Sequence, residues 1–228
     1  MSNITKRAAP RADTQQRFIT GVYAWMTAAL AVTGGAALFA VSSAGFMRLL
    51  SGSMLPLGLC VAEIALVWYL SANIRTLSAA RATAVFFIYA ALNGLTLSVI
   101  FLVYTASSIG AVFFYAAAMF GGMSAYGVLT KTDLTKTGNI LGMALWGVII
   151  ASVANLLLHS SGLSWLVSLA TVVIFTGLTA YDAQKLTRVS AAGDSETYTK
   201  QSIFGALRLY LDFINLFLAL VRLFGKRR

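Results

Sequence analysis

The chain has 228 residues, 59% of them hydrophobic and 11% charged, with a mean hydropathy of +0.81. A soluble domain carries about 25% charged residues and must clothe its outside in polar groups, so the composition excludes a water-soluble enzyme and places the chain in a bilayer. The net charge of +10 belongs to 17 Lys and Arg confined to short gaps between apolar blocks; these are topology signals and argue against a nucleic-acid partner.

About 20 apolar residues at a rise of about 1.5 Å cross a hydrocarbon core of about 30 Å, and uncharged runs give the spans in chain order. Residues 1–17 form a basic tail with Lys6, Arg7, Arg11 and Arg17. The run 18–47 has no charge and opens with Phe18, Tyr23 and Trp25, aromatics that favour the headgroup interface; it predicts a helix over about 20–41. A secretory signal competes for this segment, but its apolar region would be only about 7–15 residues long. The run 49–74 is interrupted by Glu63 alone and has Pro56 near its start, where a proline breaks no interior hydrogen bond; it predicts a helix over about 54–74. Cys60, the single cysteine, lies in this run and excludes an intrachain disulfide framework or a Cys-rich metal site.

The uncharged run 82–130 is too long for one span and right for two, about 83–105 and 110–129, joined by the turn 105–110. The run 137–181 divides in the same way into about 138–158 and 164–182 around the polar turn 158–164. The last segment, 202–224, carries Arg208, Asp212, Asn215 and Arg222, which would be costly against lipid, so it belongs inside the bundle; residues 225–228 form a short basic tail. The expected fold is thus an all-α polytopic membrane protein, one transmembrane domain over 18–224.

Lys and Arg in short loops stay cytoplasmic. With the N-terminus inside, the inner gaps hold Arg17, Arg75, Arg81, Lys131, Lys136, Lys185 and Arg188 among others, while the outer turns of the first six spans hold only Arg48. Arg222, Lys226, Arg227 and Arg228 break the pattern if the last helix crosses. Either it spans and the tail tolerates the violation, or it is re-entrant and returns the tail to the cytoplasm.

The apolar blocks contain just three acids, Glu63, Asp182 and Asp212, each costing roughly 2.5–3.5 kcal/mol at mid-membrane on insertion scales. If the last segment folds into the bundle, Asp182 and Asp212 can meet. Two carboxylates close together in low dielectric do not both ionise easily, so they would share a proton and make a proton-sensitive latch. Structural roles stand beside this. Asp182 could begin a polar loop and pair with Lys185, Arg208 and Asp212 at i,i+4 could form an ion pair on one helix, and Glu63 could be protonated and hydrogen-bonded to a neighbouring helix. His159, in a polar turn, reads as a solvated loop residue. Gly34-Gly35, Gly121-Gly122 and the Gly138-x3-Gly142 spacing read as close-packing devices, and the gap 188–201 as a solvated loop. There is no Walker A, dinucleotide-binding or nucleophile-elbow pattern, and no resident cofactor, metal or enzymatic activity is expected.

The strings GLTAYDAQK at 177–185 and YLDFINLF at 210–217 resemble the two carboxyl-terminal signatures of the transmembrane Bax inhibitor motif family. The likeness covers nearly the whole chain from Phe18 and is greatest to the bacterial members, which implies a bacterial inner membrane. The resemblance implies seven helices with the last surrounded by the other six, an aspartate pair falling on Asp182 and Asp212, an ion-path acid falling on Glu63, and a basic latch after the second helix, Arg75 or Arg81, of which Arg75 is preferred. It also implies a pH-sensitive calcium leak, with Ca2+ as the transported ion. Eukaryotic members are associated with suppressing cell death, and some bacterial ones with modulating a membrane protease.

The leading expectation is therefore a passive, proton-gated leak for calcium or other cations. The alternative is a non-transporting regulator whose partner is a membrane protease or another membrane complex. A third class, an intramembrane aspartyl protease, is suggested by Tyr181-Asp182, which resembles the Tyr-Asp signature of presenilin-like enzymes; Leu209-Tyr210-Leu211 before Asp212 departs from the Gly-x-Gly those enzymes place there.

Overall fold

The computed structural model describes residues 12–189 and 194–228; Lys6, Arg7 and Arg11 of the expected basic tail, and Gly193 of the expected hydrophilic loop, lie outside them. Among the described residues every regular element is a helix: α1 Ala12–Ser42, α2 Ala44–Gly52, α3 Leu55–Asn73, α4 Ala79–Leu97, α5 Ile100–Val103, α6 Ala106–Leu129, α7 Thr135–Leu158, α8 Ser161–Thr187 and α9 Ser195–Phe224. With α4 and α5 taken as one, seven helices are long and apolar enough to cross a membrane. The chain is an all-α polytopic membrane protein.

Local chemistry sets the ends. Pro lies in the first turn of α3. The Ser78, Ser160 and Asp194 side chains accept backbone N–H groups at the starts of α4, α8 and α9. His159 closes α7 in a left-handed conformation, φ 49°, a role that Gly or Asn more often fills; its side chain is exposed. The short α2, capped by Ser43, occupies a stretch that sequence alone assigned to a turn.

The most buried element is α9. Leu207, Leu209, Tyr210 and Leu216 are fully enclosed, and α1, α4, α6 and α8 pack directly on this helix. α3 packs mainly on α4, and α7 on α8; both present large apolar residues outward, such as Ile64 and Trp68 of α3, and Trp146 and Leu157 of α7. This arrangement is compatible with a central last helix, with four of its neighbours in close contact.

At about 1.5 Å per residue, the 30 residues of α9 extend about 45 Å, enough for a hydrocarbon core of about 30 Å. Its first turn meets the start of α4, where the Ala79 N–H donates to Glu196. Its far end meets the α5–α6 turn: Thr105 N–H donates to the Lys226 carbonyl at 3.0 Å, and Arg228 N–H to the Val103 carbonyl at 3.0 Å. The helix therefore runs the full length of the bundle. Of the two dispositions open from sequence, this end-to-end course fits the spanning one, and the basic tail ends at the opposite end of the bundle from the start of α1.

The closest helix approaches use other glycines than the adjacent pairs. A Cβ on Gly127 of α6 would collide with the Ala180 carbonyl of α8, and one on Gly94 of α4 with the Thr33 carbonyl of α1. Gly34, Gly35, Gly121, Gly122 and Gly142 have open space where a Cβ would stand, whereas Gly138 lies against the Tyr181 ring. Neighbouring residues on a helix point about 100° apart, so which glycine meets a partner depends on the rotation of the helix.

Candidate functional site

α8 and α9 form the most extensive helix pair in the bundle, and both carry an acid in the contact region. The Asp182 carboxylate, on the last turns of α8, lies 3.5 Å from Arg208 Nη1 of α9. Asp212, one turn beyond Arg208 on α9, is 4% exposed, and its Oδ2 has no hydrogen-bond partner among the described residues. Arg208, one turn from Asp212 on α9, bridges to Asp182 on α8, so the three side chains form one cluster, with a carboxylate on either helix and the guanidinium turned to the one on α8.

This geometry differs from the simple intrahelical pairings. Arg208 stacks on Phe204, 4.8 Å from the ring centre, and contacts Asp182 rather than Asp212. Lys185 lies over the Tyr181 ring at 5.6 Å and forms no ion pair with Asp182 among the described residues. Asp182 and Arg208 line a cavity of about 460 Å³ at the bundle end where α1 and α9 begin and α3 and α8 finish, together with Phe18, Arg75, Lys185 and Lys200. Arg75, the preferred latch residue from sequence, therefore shares the cavity of Asp182, but the side chain in contact with that carboxylate is Arg208. Arg81 sits at the capped start of α4 and does not line the cavity.

Glu63 belongs to a second cluster. Thr96 Oγ1 donates to Glu63 Oε1 at 2.5 Å, and Asn93 Nδ2 donates to Oε2 at 3.1 Å. The Tyr210 hydroxyl donates to Asn93 Oδ1 at 3.0 Å and meets Thr33 Oγ1 at 2.7 Å. One continuous polar chain therefore ties α3, α4, α9 and α1 together within an apolar bundle. Glu63 also borders an open recess of about 420 Å³ with Trp68, Tyr89 and Leu211. Tyr210 and Asp212 are two residues apart, about 200° around the helix, so α9 presents the Glu63 network on one side and the aspartate cluster on the other.

Sequence reasoning missed Thr33, Asn93, Thr96 and Tyr210. The available signal was weak: uncharged polar groups within apolar runs hydrogen-bond across helices in many positions, and only the three-dimensional register selects these four. Among the described residues, no three His, Cys, Asp or Glu side chains come together as a metal site.

Outside the spans, a polar clamp closes the α6–α7 turn onto α8. Gln184 accepts the Leu134 N–H and donates to the Thr132 carbonyl, while Arg188 pairs with Asp133 at 2.7 Å. The Thr135 hydroxyl and N–H, with help from Arg188, hold the Asp133 carboxyl below the usual carboxylate range. Asp194 is lowered for a similar reason, by hydrogen bonds from Thr197 at the start of α9.

Comparison with known proteins covers nearly the whole chain. The chain is 50% identical over 223 residues to the inner membrane protein YbhL of Escherichia coli strain K12, covering 96% of this chain and 95% of that protein. It is 42% identical over 220 residues to an uncharacterized protein of Borreliella burgdorferi, covering 94% of each. A Deinococcus radiodurans protein, also uncharacterized, is 40% identical over 228 residues, covering 100% of this chain and 98% of that one. Residues 15–228 match the profile of the Bax1-I family, described as Inhibitor of apoptosis-promoting Bax1, and the chain belongs to this family of membrane proteins.

Proposed function

We propose that this family member is a passive, proton-gated leak for calcium or other cations, conducting rather than catalysing, in a bacterial inner membrane with its N-terminus cytoplasmic. The observation that carries the proposal is the Asp212 carboxyl group. It is buried, with an oxygen that has no hydrogen-bond partner among the described residues, on the helix that an Asp182–Arg208 ion pair joins to α8. An ionised group in such surroundings is costly, and a proton gained or lost by either aspartate changes the balance of attraction at the α8–α9 contact.

In this proposal Asp182 and Asp212 are the pH-sensing pair, Arg208 is the cation that holds the closed contact, and Arg75 supports it from the same cavity. Glu63 supplies a carboxylate on the ion path, where hard cations favour oxygen ligands and weak binding suits conduction. The E. coli relative described as an inner membrane protein supports the assigned membrane.

The test is calcium entry into proteoliposomes of the purified chain at several pH values. Entry above that of empty liposomes, changing with pH, is expected. A regulator that acts only through a partner membrane protease or other complex would give no entry at any pH.

A further inference from the structure

The cavity beside Asp182 carries more positive charge than the aspartate cluster employs. Arg75, Lys185, Lys200 and Arg208 line it, and the only carboxylate among its lining residues is Asp182, already engaged by Arg208. Lys200 has Glu196 3.8 Å away and donates to the Arg75 carbonyl, whereas Arg75 and Lys185 have no acid within ion-pair distance among the described residues. Cations brought together from α3, α8 and α9 around a space of about 460 Å³ repel one another, and an anion between them removes that cost. Phosphate suits them, since Arg offers a planar fork of donors and Lys a compact charge.

The rest of the wall is apolar, built from Phe18, Ile74, Leu186, Val189 and Phe204. A free inorganic ion gains nothing from such a surface; a phosphate attached to hydrocarbon does. The cavity also lies at one end of the bundle of apolar helices, and basic pockets between membrane helices suit anionic headgroups. We infer that this cavity binds the phosphate headgroup of an anionic phospholipid, with Arg75, Lys185 and Lys200 as its charged contacts and the apolar wall receiving the start of the acyl chains. The inference goes beyond the leak, because binding requires no conduction.

The experiment uses the purified full chain in an uncharged detergent, titrated separately with dioctanoyl phosphatidylglycerol, dioctanoyl phosphatidylcholine and inorganic phosphate, and read by native mass spectrometry and thermal unfolding. Phosphatidylglycerol is expected to bind saturably and raise the unfolding temperature. Its dissociation constant should weaken at least tenfold in the Lys185→Gln/Lys200→Gln double variant, and stay unchanged in Arg48→Gln, which alters an exposed cation at the opposite end. Arg75→Gln supplies the same test should the double variant fail to fold. Equal affinity for phosphatidylcholine, or undiminished phosphatidylglycerol binding in the variants, would overturn the site. Inorganic phosphate binding as tightly, with the same dependence on Lys185 and Lys200, would assign the cavity to a soluble phosphate and overturn the lipid.

Discussion

Arg208 of α9 reaches across to Asp182 of α8, with Nη1 3.5 Å from Oδ1, and leaves Asp212, one turn along its own helix, without an ion pair among the described residues. A pair within one helix moves with that helix, whereas a pair between two helices fastens them. The Arg208 side chain is 37% exposed, so solvent screening keeps the contact small as a contribution to stability. Its weight lies in the position of α9 relative to α8.

Arg208→Gln removes the fastening cation. The expected outcome is a severalfold higher calcium leak at neutral pH and a flatter pH profile in proteoliposomes, with Arg208→Lys retaining most of the wild-type profile. A leak in Arg208→Gln indistinguishable from wild type at every pH would remove Arg208 from the latch.

The Glu63 network separates conduction from stability. Asn93 and Thr96 each donate to a different oxygen of Glu63. Glu63→Gln keeps one of those acceptors and abolishes the charge, so the variant should fold and leak calcium about tenfold less. Tyr210→Phe instead deprives the buried Asn93 carbonyl of its donor, at a cost of about 1–3 kcal/mol. It should lower the unfolding temperature in detergent by several degrees. An unchanged leak in Glu63→Gln would take the carboxylate off the ion path.

The same residues show how much was legible beforehand. Glu63, Asp182 and Asp212 stand out in sequence because a carboxylate in an apolar run is costly wherever it points. Asn93, Thr96 and Tyr210 do not, because their role depends on which helix face meets α9. The partner of Arg208 was hidden for a related reason: the i,i+4 spacing to Asp212 can be counted, but the contact with Asp182 depends on the rotation of α8 against α9. The long spans were legible as charge-free runs. α2, nine residues with Arg48 in its middle, gives no such run, and the glycines at the real close approaches, Gly94 and Gly127, look no different in sequence from those facing outward.

Asp133 gives a pH control outside the spans. Hydrogen bonds from Thr135 and the neighbouring Arg188 lower its folded-state pKa. A carboxyl group lowered in this way contributes stability above its unfolded pKa of about 3.9, and loses that contribution as pH falls through the folded value. The clamp is therefore constant between about pH 5 and 8. In Asp133→Asn the difference in unfolding temperature from wild type should be constant across that window and shrink only in strong acid, while the pH profile of the leak keeps its midpoint. A displaced midpoint would place Asp133 among the sensing groups.

Because α9 runs the length of the bundle and its tail bonds to the α5–α6 turn, the two ends of the chain should lie on opposite sides of the membrane. In a Cys60→Ala background, an impermeant maleimide should label Arg228→Cys in intact cells, and label Thr14→Cys only after permeabilisation. Labelling of both positions from the same side would contradict a spanning α9.

The decisive comparison is the pH profile of calcium flux in proteoliposomes of wild type, Asp182→Asn and Asp212→Asn, with matched protein content. The proposed mechanism requires a pH-dependent wild-type flux that becomes insensitive to pH when either aspartate is replaced. A flux with undiminished pH dependence in both variants would show that the aspartate cluster is not the gate.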